Sequence, residues 1–169
     1  MSATSHERRR SRTPKTPKSC HDRALGLLAV RPRSRRELER RLLAMGFEPS
    51  EVSDVLARLE RVGLIDDGAF ARQVAEYQYG SRRAGRRAVT SALLAKGIAP
   101  EVVAAVVDES PDDEGDRALA LARSRASRMA PLEPLTAFNR LTSFLVRRGY
   151  PGDVAREAAR RALAVESWE

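Results

Sequence analysis

The chain has 169 residues, of which 42% are hydrophobic but only 5% aromatic, so its core must consist mainly of Leu, Val and Ala. That mixture favours helices over a β-sandwich or barrel, and without an apolar run of about 18 residues the sequence predicts no membrane-spanning helix. The net charge is +8, yet residues 1–21 alone carry six Lys/Arg and one Glu, which leaves the rest only mildly basic.

Residues 1–21 contain almost no apolar side chains, and they show no hydrophobic segment typical of a secretory signal. Such a segment cannot bury enough surface to offset its chain entropy, so we predict a disordered basic tail. Its arginines are candidate DNA contacts, although a tail that only aids solubility is the equal alternative: Arg8, Arg9, Arg10 and Arg12. The single cysteine, Cys20, falls in this tail and is compatible with a reducing cytoplasm.

From residue 22 onward the apolar residues follow a helical period, and residues 22–65 predict three short helices. The segment Ser34–Glu37 has the form of a capping box, which begins a helix carrying Leu38 and Leu42. Gly46 is a typical helix stop, and Pro49 suits the first turn of the next helix.

The same unit recurs in residues 66–111 and in residues 112–169. When Gly46, Gly97 and Gly149 are aligned, the units are offset by 51 and 52 residues and match in several apolar columns. The columns eight, four and three residues before each glycine, and one after it, contain Leu38, Val89 and Leu141; Leu42, Leu93 and Leu145; Leu43, Leu94 and Val146; and Phe47, Ile98 and Tyr150. We therefore predict an all-α fold of three tandem three-helix repeats, stacked into an elongated, curved array around a continuous core.

Nothing in the sequence predicts catalysis. The two histidines, His6 and His21, lie in or beside the tail, and Cys20 has too few neighbours for a zinc site. The pair Asp66 and Asp67 is better explained as the start of a helix than as a metal or acid–base site. We accordingly predict a binding protein that uses no cofactor or metal.

Clustered arginines on the middle helix of each repeat are the candidate binding residues. They are Arg35, Arg36 and Arg40 in the first repeat, Arg82, Arg83, Arg86 and Arg87 in the second, and Arg147 and Arg148 in the third. Equivalent helices of stacked repeats would align them on one surface, facing DNA phosphates or an acidic protein groove. The alternative is a solvated helix face with Arg–Glu pairs. The 82–87 cluster favours binding, because no acid lies between positions 77 and 100.

The run Gly63-Leu64-Ile65-Asp66-Asp67-Gly68-Ala69-Phe70-Ala71 resembles the RecX family, the regulators of the RecA recombinase. The segments Ser34–Leu38, Leu93–Ile98 and Arg148–Tyr150 fit the same family, and the similarity covers residues 22 to about 164. The resemblance implies a fold of three three-helix repeats, with no catalytic motif to carry over.

The resemblance also implies a function: binding of RecA and of the groove of its nucleoprotein filament, with inhibition of ATPase and strand exchange. We expect a cytoplasmic monomer without membrane contact. The alternative is a helical protein that binds DNA and acts independently of RecA, which the basic tail and the 82–87 cluster favour.

Overall fold

The computed structural model describes residues 18–110, 113–129 and 131–163, so the predicted DNA contacts at Arg8, Arg9, Arg10 and Arg12 lie outside the described part. The described residues form nine helices and no strand, which confirms the all-α prediction. They are α1 (Cys20–Val30), α2 (Arg35–Ala44), α3 (Pro49–Arg61), α4 (Asp67–Gly80), α5 (Arg86–Ala95), α6 (Pro100–Asp108), α7 (Glu114–Ala126), α8 (Pro134–Arg147) and α9 (Gly152–Ala162). None of these helices is long and apolar enough to cross a membrane.

The first helix begins earlier than the sequence predicts. The side chain of Ser19 accepts a hydrogen bond from the amide of Asp22, so α1 begins at Cys20. Cys20 is fully buried in the first core, and the prediction that it belongs to the tail was wrong. The reason is that a small thiol packs as an apolar group although the residues before it are polar and basic.

The three aligned glycines end the middle helices α2, α5 and α8 as predicted. Gly46, Gly97 and Gly149 have φ of +89°, +77° and +92°, a left-handed conformation in which a side chain would be strained. The amide of the residue after each glycine donates to a carbonyl five residues earlier, for example Tyr150 to Leu145 at 3.2 Å. This Schellman arrangement turns the chain toward the third helix of each repeat.

Each repeat has its own hydrophobic core, so the prediction of one continuous core was wrong. The largest fully buried side chains include Leu38 and Leu42 in the first repeat, Leu93 in the second, and Leu141 and Tyr150 in the third. They belong to three separate clusters, and the helix packing of the described residues is concentrated within repeats. The repeats instead meet through hydrogen bonds at helix ends, which apolar periodicity does not reveal.

At the first junction, the N-terminus of α2 meets the C-terminal end of α5. The hydroxyl of Ser34 accepts from the amide of Glu37 at 3.1 Å and donates to the carbonyl of Lys96 at 2.6 Å. The amide of Arg35 donates to a carboxylate oxygen of Asp67 at 2.8 Å. A free amide at one helix start is thus satisfied by a carboxylate of the next repeat.

The second junction joins the N-terminus of α5 to the end of α8 in the same way. The amide of Gly85 donates to the carbonyl of Arg148 at 2.8 Å, and that of Arg87 to the carbonyl of Gly149 at 3.2 Å. Glu114 accepts from the amide of Arg86 at 2.8 Å, as Asp67 does for Arg35. The helices α8, α5 and α2 therefore follow one another end to end, with their dipoles pointing the same way. We call them the axial column.

Candidate protein-interaction groove

A groove of about 580 Å³ lies beside the first junction, where α2 and α5 meet. Arg36, Arg40 and Leu43 contribute from α2, at i, i+4 and i+7, and so share one helix face. Leu94 of α5 lines the same groove from the neighbouring repeat. The structure thus brings two of the predicted arginines together with apolar residues from two repeats.

The apolar residues of this groove are exposed, although their column in the sequence predicts core positions. Leu43 and Leu94 are 40% and 46% exposed, and their equivalent in the third repeat, Val146, is 44% exposed. The column four residues before each glycine is fully buried at Leu42, Leu93 and Leu145. The position three residues before each glycine therefore presents one exposed apolar side chain per repeat along the axial column. Exposed apolar side chains ringed by polar ones are typical of interaction sites.

Two acids, Glu37 and Glu39, also line the groove, and Glu37 is engaged in the structure of the junction. Glu37 contacts Arg31 at 3.1 Å and Lys96 at 3.6 Å, and its side chain is only 11% exposed. Burial opposes its ionisation, but the bonds from Arg31 and Lys96 outweigh that effect and lower the pKa of Glu37. The side chain of Glu37 does not accept a hydrogen bond from the amide of Ser34, as it would in a full capping box.

Two predicted arginines, Arg35 and Arg86, occupy equivalent positions at the start of α2 and α5 and face acids. Arg35 lies 3.0 Å from Glu60, and Arg86 lies 3.8 Å from Asp108. The expectation that no acid neutralises the 82–87 cluster was therefore wrong for Arg86, because α6 folds back alongside α5. Arg87 lines a smaller depression of about 460 Å³ together with Asp108.

Three further predicted arginines contribute to the second junction. The guanidinium of Arg148 donates to the carbonyl of Arg82, and the hydroxyl of Tyr150 donates to the carbonyl of Arg83 at 3.0 Å. Arg83 has φ of +48°, in the left-handed region. The guanidinium of Arg82 lies 5.8 Å from the ring of Tyr77. The two hydrogen bonds hold the second and third repeats together, and a binding role for these arginines stays a prediction.

Arg147 lies apart from the groove, in a cleft of the third repeat lined also by Arg125 and Arg140. The predicted set does not include these two neighbours. Their signal was present in the sequence, since residues 117–152 contain seven arginines and one acid. The net charge of the whole third repeat conceals this excess of arginine, because acidic residues lie before residue 117 and after residue 152.

The acid pair at the start of α4 has two separate structural roles. Asp66 caps the helix by accepting from the amide of Ala69 at 2.8 Å, as predicted. Asp67 instead binds the neighbouring repeat, and burial is the main reason that its pKa is raised. In the part of the chain that the structure describes, no group of three or more His, Cys, Asp or Glu is arranged to hold a metal ion.

Comparison with known families gives one match in each repeat. The family models for the first, second and third three-helix domains of RecX match residues 20–59, 66–107 and 112–159. The three matches follow the three structural repeats in order, and they include α1 from its first residue.

Whole-chain comparisons agree with these matches. A "Regulatory protein RecX" of Amycolatopsis mediterranei is 32% identical over 153 residues, covering 90% of this chain and 85% of the relative. Another, from Mycolicibacterium smegmatis, is 37% identical over 147 residues, covering 84% and 78%. The crystal structure of RecX from Lactobacillus salivarius superposes with a TM-score of 0.78 at 19% identity, covering 86% of this chain and 96% of that one. The structural similarity supports the fold, and the sequence similarity supports the relationship.

Proposed function

The chain belongs to the RecX family, and from that membership we propose that it binds RecA and its nucleoprotein filament and inhibits ATPase and strand exchange. The observation that carries the proposal is the match of all three family domains, in order, along the folded chain. The relatives are named as regulatory proteins, which fits action by binding rather than by catalysis. We propose that it acts as a monomer in the cytoplasm.

We assign the contact with RecA to the groove beside the first junction. Leu43 and Leu94 offer exposed apolar anchors, and Arg36 and Arg40 surround them with guanidinium groups. Arginine and well-packed apolar anchors provide much of the free energy of protein–protein binding. The complementary surface would present an apolar side chain flanked by carboxylates. The end-to-end axial column suits a partner that repeats along a filament.

The test is a double variant, Arg40→Ala with Leu43→Ala, in the full-length protein. Both side chains lie in the groove and outside the hydrogen bonds of the first junction. The matched control is Arg58→Ala with Leu64→Ala, which removes the same chemistry elsewhere in the first repeat. The measurements are co-sedimentation with RecA filaments on single-stranded DNA and the DNA-dependent ATPase of RecA.

We expect the groove variant to bind filaments at least tenfold more weakly, since two anchor residues together contribute about 2 kcal/mol or more. The control should inhibit like the wild type. Equal inhibition by both variants would show that the groove is the wrong surface. A wild-type protein that leaves ATPase and strand exchange unchanged at equimolar RecA would overturn the proposed function itself.

Direct DNA binding independent of RecA is the second candidate function. The 82–87 cluster gives this function less support than the sequence alone did, because the guanidinium of Arg86 faces the carboxylate of Asp108. The concentration of arginine in the third repeat favours it.

A further inference from the structure

Within the third repeat, basic and acidic residues are unevenly distributed along the sequence. Residues 117–152 hold seven arginines and a single acid, Glu133. Arg117 is paired with Asp113, and Arg148 contributes to the second junction. Five arginines remain, and none of them pairs with an acid of the described residues: Arg123, Arg125, Arg128, Arg140 and Arg147.

Three of these five converge on one cleft of about 520 Å³ between the end of α7 and the outer face of α8. Arg140 and Arg147 lie at i and i+7 on α8, and Arg125 approaches from α7. The cleft also contains Met129 and Phe144, and none of the described carboxylates lines it. The guanidinium of Arg125 lies 4.6 Å and that of Arg148 5.9 Å from the centre of the Phe144 ring, so cationic and aromatic surfaces adjoin each other.

We propose that this cleft binds single-stranded nucleic acid, with arginines on the phosphates and a base against the Arg125–Phe144 pair. Guanidinium groups bind phosphate oxygens in a bidentate manner, and aromatic and guanidinium planes stack on any base. A polyanion fits better than an acidic peptide, because the three arginines of the cleft, with no acid of the described residues beside them in its lining, match the uniform charge of a phosphate backbone. The inference rests on the second candidate function, direct DNA binding, and gives it a site that needs no RecA and lies in a different repeat from the groove proposed above.

The test measures anisotropy of a labelled thymidine oligomer with the full-length protein, without RecA, over a series of salt concentrations. The site variant is Arg125→Ala, Arg140→Ala, Arg147→Ala. The matched control is Arg23→Ala, Arg58→Ala, Arg61→Ala, which removes three exposed charges from the first repeat. Both variants keep residues 1–17, so any contribution of the basic tail is the same in each.

We expect the site variant to bind at least tenfold more weakly, and the slope of log affinity against log salt to fall by about 2. Each phosphate contact with a single strand contributes about 0.7 to that slope. The control should keep nearly the wild-type slope. The pair Arg140→Ala with Arg147→Ala, both exposed on α8, should lower the slope by about 1.4 without risk to the Arg125–Phe144 packing.

Three results would overturn the assignment. One is an equal loss of affinity in the site variant and the control. Another is a base-free oligomer with the same number of phosphates that binds as tightly as the thymidine oligomer, since stacking on the Arg125–Phe144 pair should make it several-fold weaker. The third is a glutamate peptide of equal charge that binds as tightly as the oligomer, which would identify an acidic protein segment as the ligand.

Discussion

Substitution of Gly149 by alanine should weaken the second junction far more than the equivalent substitution of Gly46 weakens the protein. Both glycines have positive φ, so alanine introduces about 1–2 kcal/mol of backbone strain at either position. Their surroundings differ. A Cβ at Gly149 would lie 2.4 Å from the backbone nitrogen of Ala88, whereas a Cβ at Gly46 would meet nothing within 4 Å.

The additional cost at Gly149 follows from the bonds that depend on this close approach. Two backbone bonds, from Gly85 to Arg148 and from Arg87 to Gly149, and the bond from Tyr150 to Arg83 cross the junction. Each contributes about 1 kcal/mol, so Gly149→Ala should cost up to about 3 kcal/mol beyond the strain. Gly97→Ala should also weaken its own junction, because its Cβ would lie 2.7 Å from the Cβ of Arg36, an atom that the backbone of α2 holds in place.

Hydrogen exchange is the appropriate assay, because separate cores allow the junction to open without unfolding a repeat. A loss of about 3 kcal/mol corresponds to roughly a hundredfold faster exchange at the amides of Gly85 and Arg87 in the Gly149 variant. Gly46→Ala should leave both rates unchanged and lower the melting temperature by only a few degrees. If both variants alter exchange at the second junction equally, the close approach of Gly149 to Ala88 does not hold this junction together.

Substitutions of the junction acids and alkylation of the buried thiol give further tests. Asp67→Ala leaves the amide of Arg35 without its acceptor and should cost about 1–3 kcal/mol in urea unfolding, whereas Asp67→Asn keeps an acceptor and should cost less. Burial raises the pKa of Asp67, so its contribution to stability is greatest in acid and is lost as pH rises through that pKa; the Asn variant should lack this dependence. The pKa of Glu37 is lowered, so its contribution is present at neutral pH and is lost as pH falls through it, and Glu37→Gln should remove that acid loss. Burial raises the pKa of the Cys20 thiol, so iodoacetamide should react at least tenfold more slowly with the native than with the urea-unfolded protein; equal rates would contradict the buried position.

The repeats were predictable because their signals are local. Gly97, for example, follows Leu93 by four residues and precedes Ile98 directly, and these short spacings determine how the helix ends. The first residue of α1 was harder to predict from the sequence, since Ser19 and Cys20 follow a strongly basic segment without apolar residues. The junctions could not be predicted from the sequence, because Ser34 and Lys96 are 62 positions apart and share no periodic pattern.

The candidate site was predictable only in part, for a related reason. Arg36 and Arg40 lie on the exposed face that their helical spacing indicates. The guanidinium of Arg148 has the same sequence context as a surface arginine, yet it donates to a carbonyl 66 positions away. Separating the two kinds of arginine requires knowing which helix end meets which, and that information is tertiary.

The division of the molecule into three cores has a mechanical consequence. Bending between repeats exposes little apolar surface, since the two junctions consist mainly of hydrogen bonds and ion pairs that water can replace. Each repeat should therefore move as a rigid body, and the array should bend at the two junctions between repeats. An array of this kind can follow a helical partner whose pitch changes, because the angle between repeats can adjust while the core of each repeat stays intact.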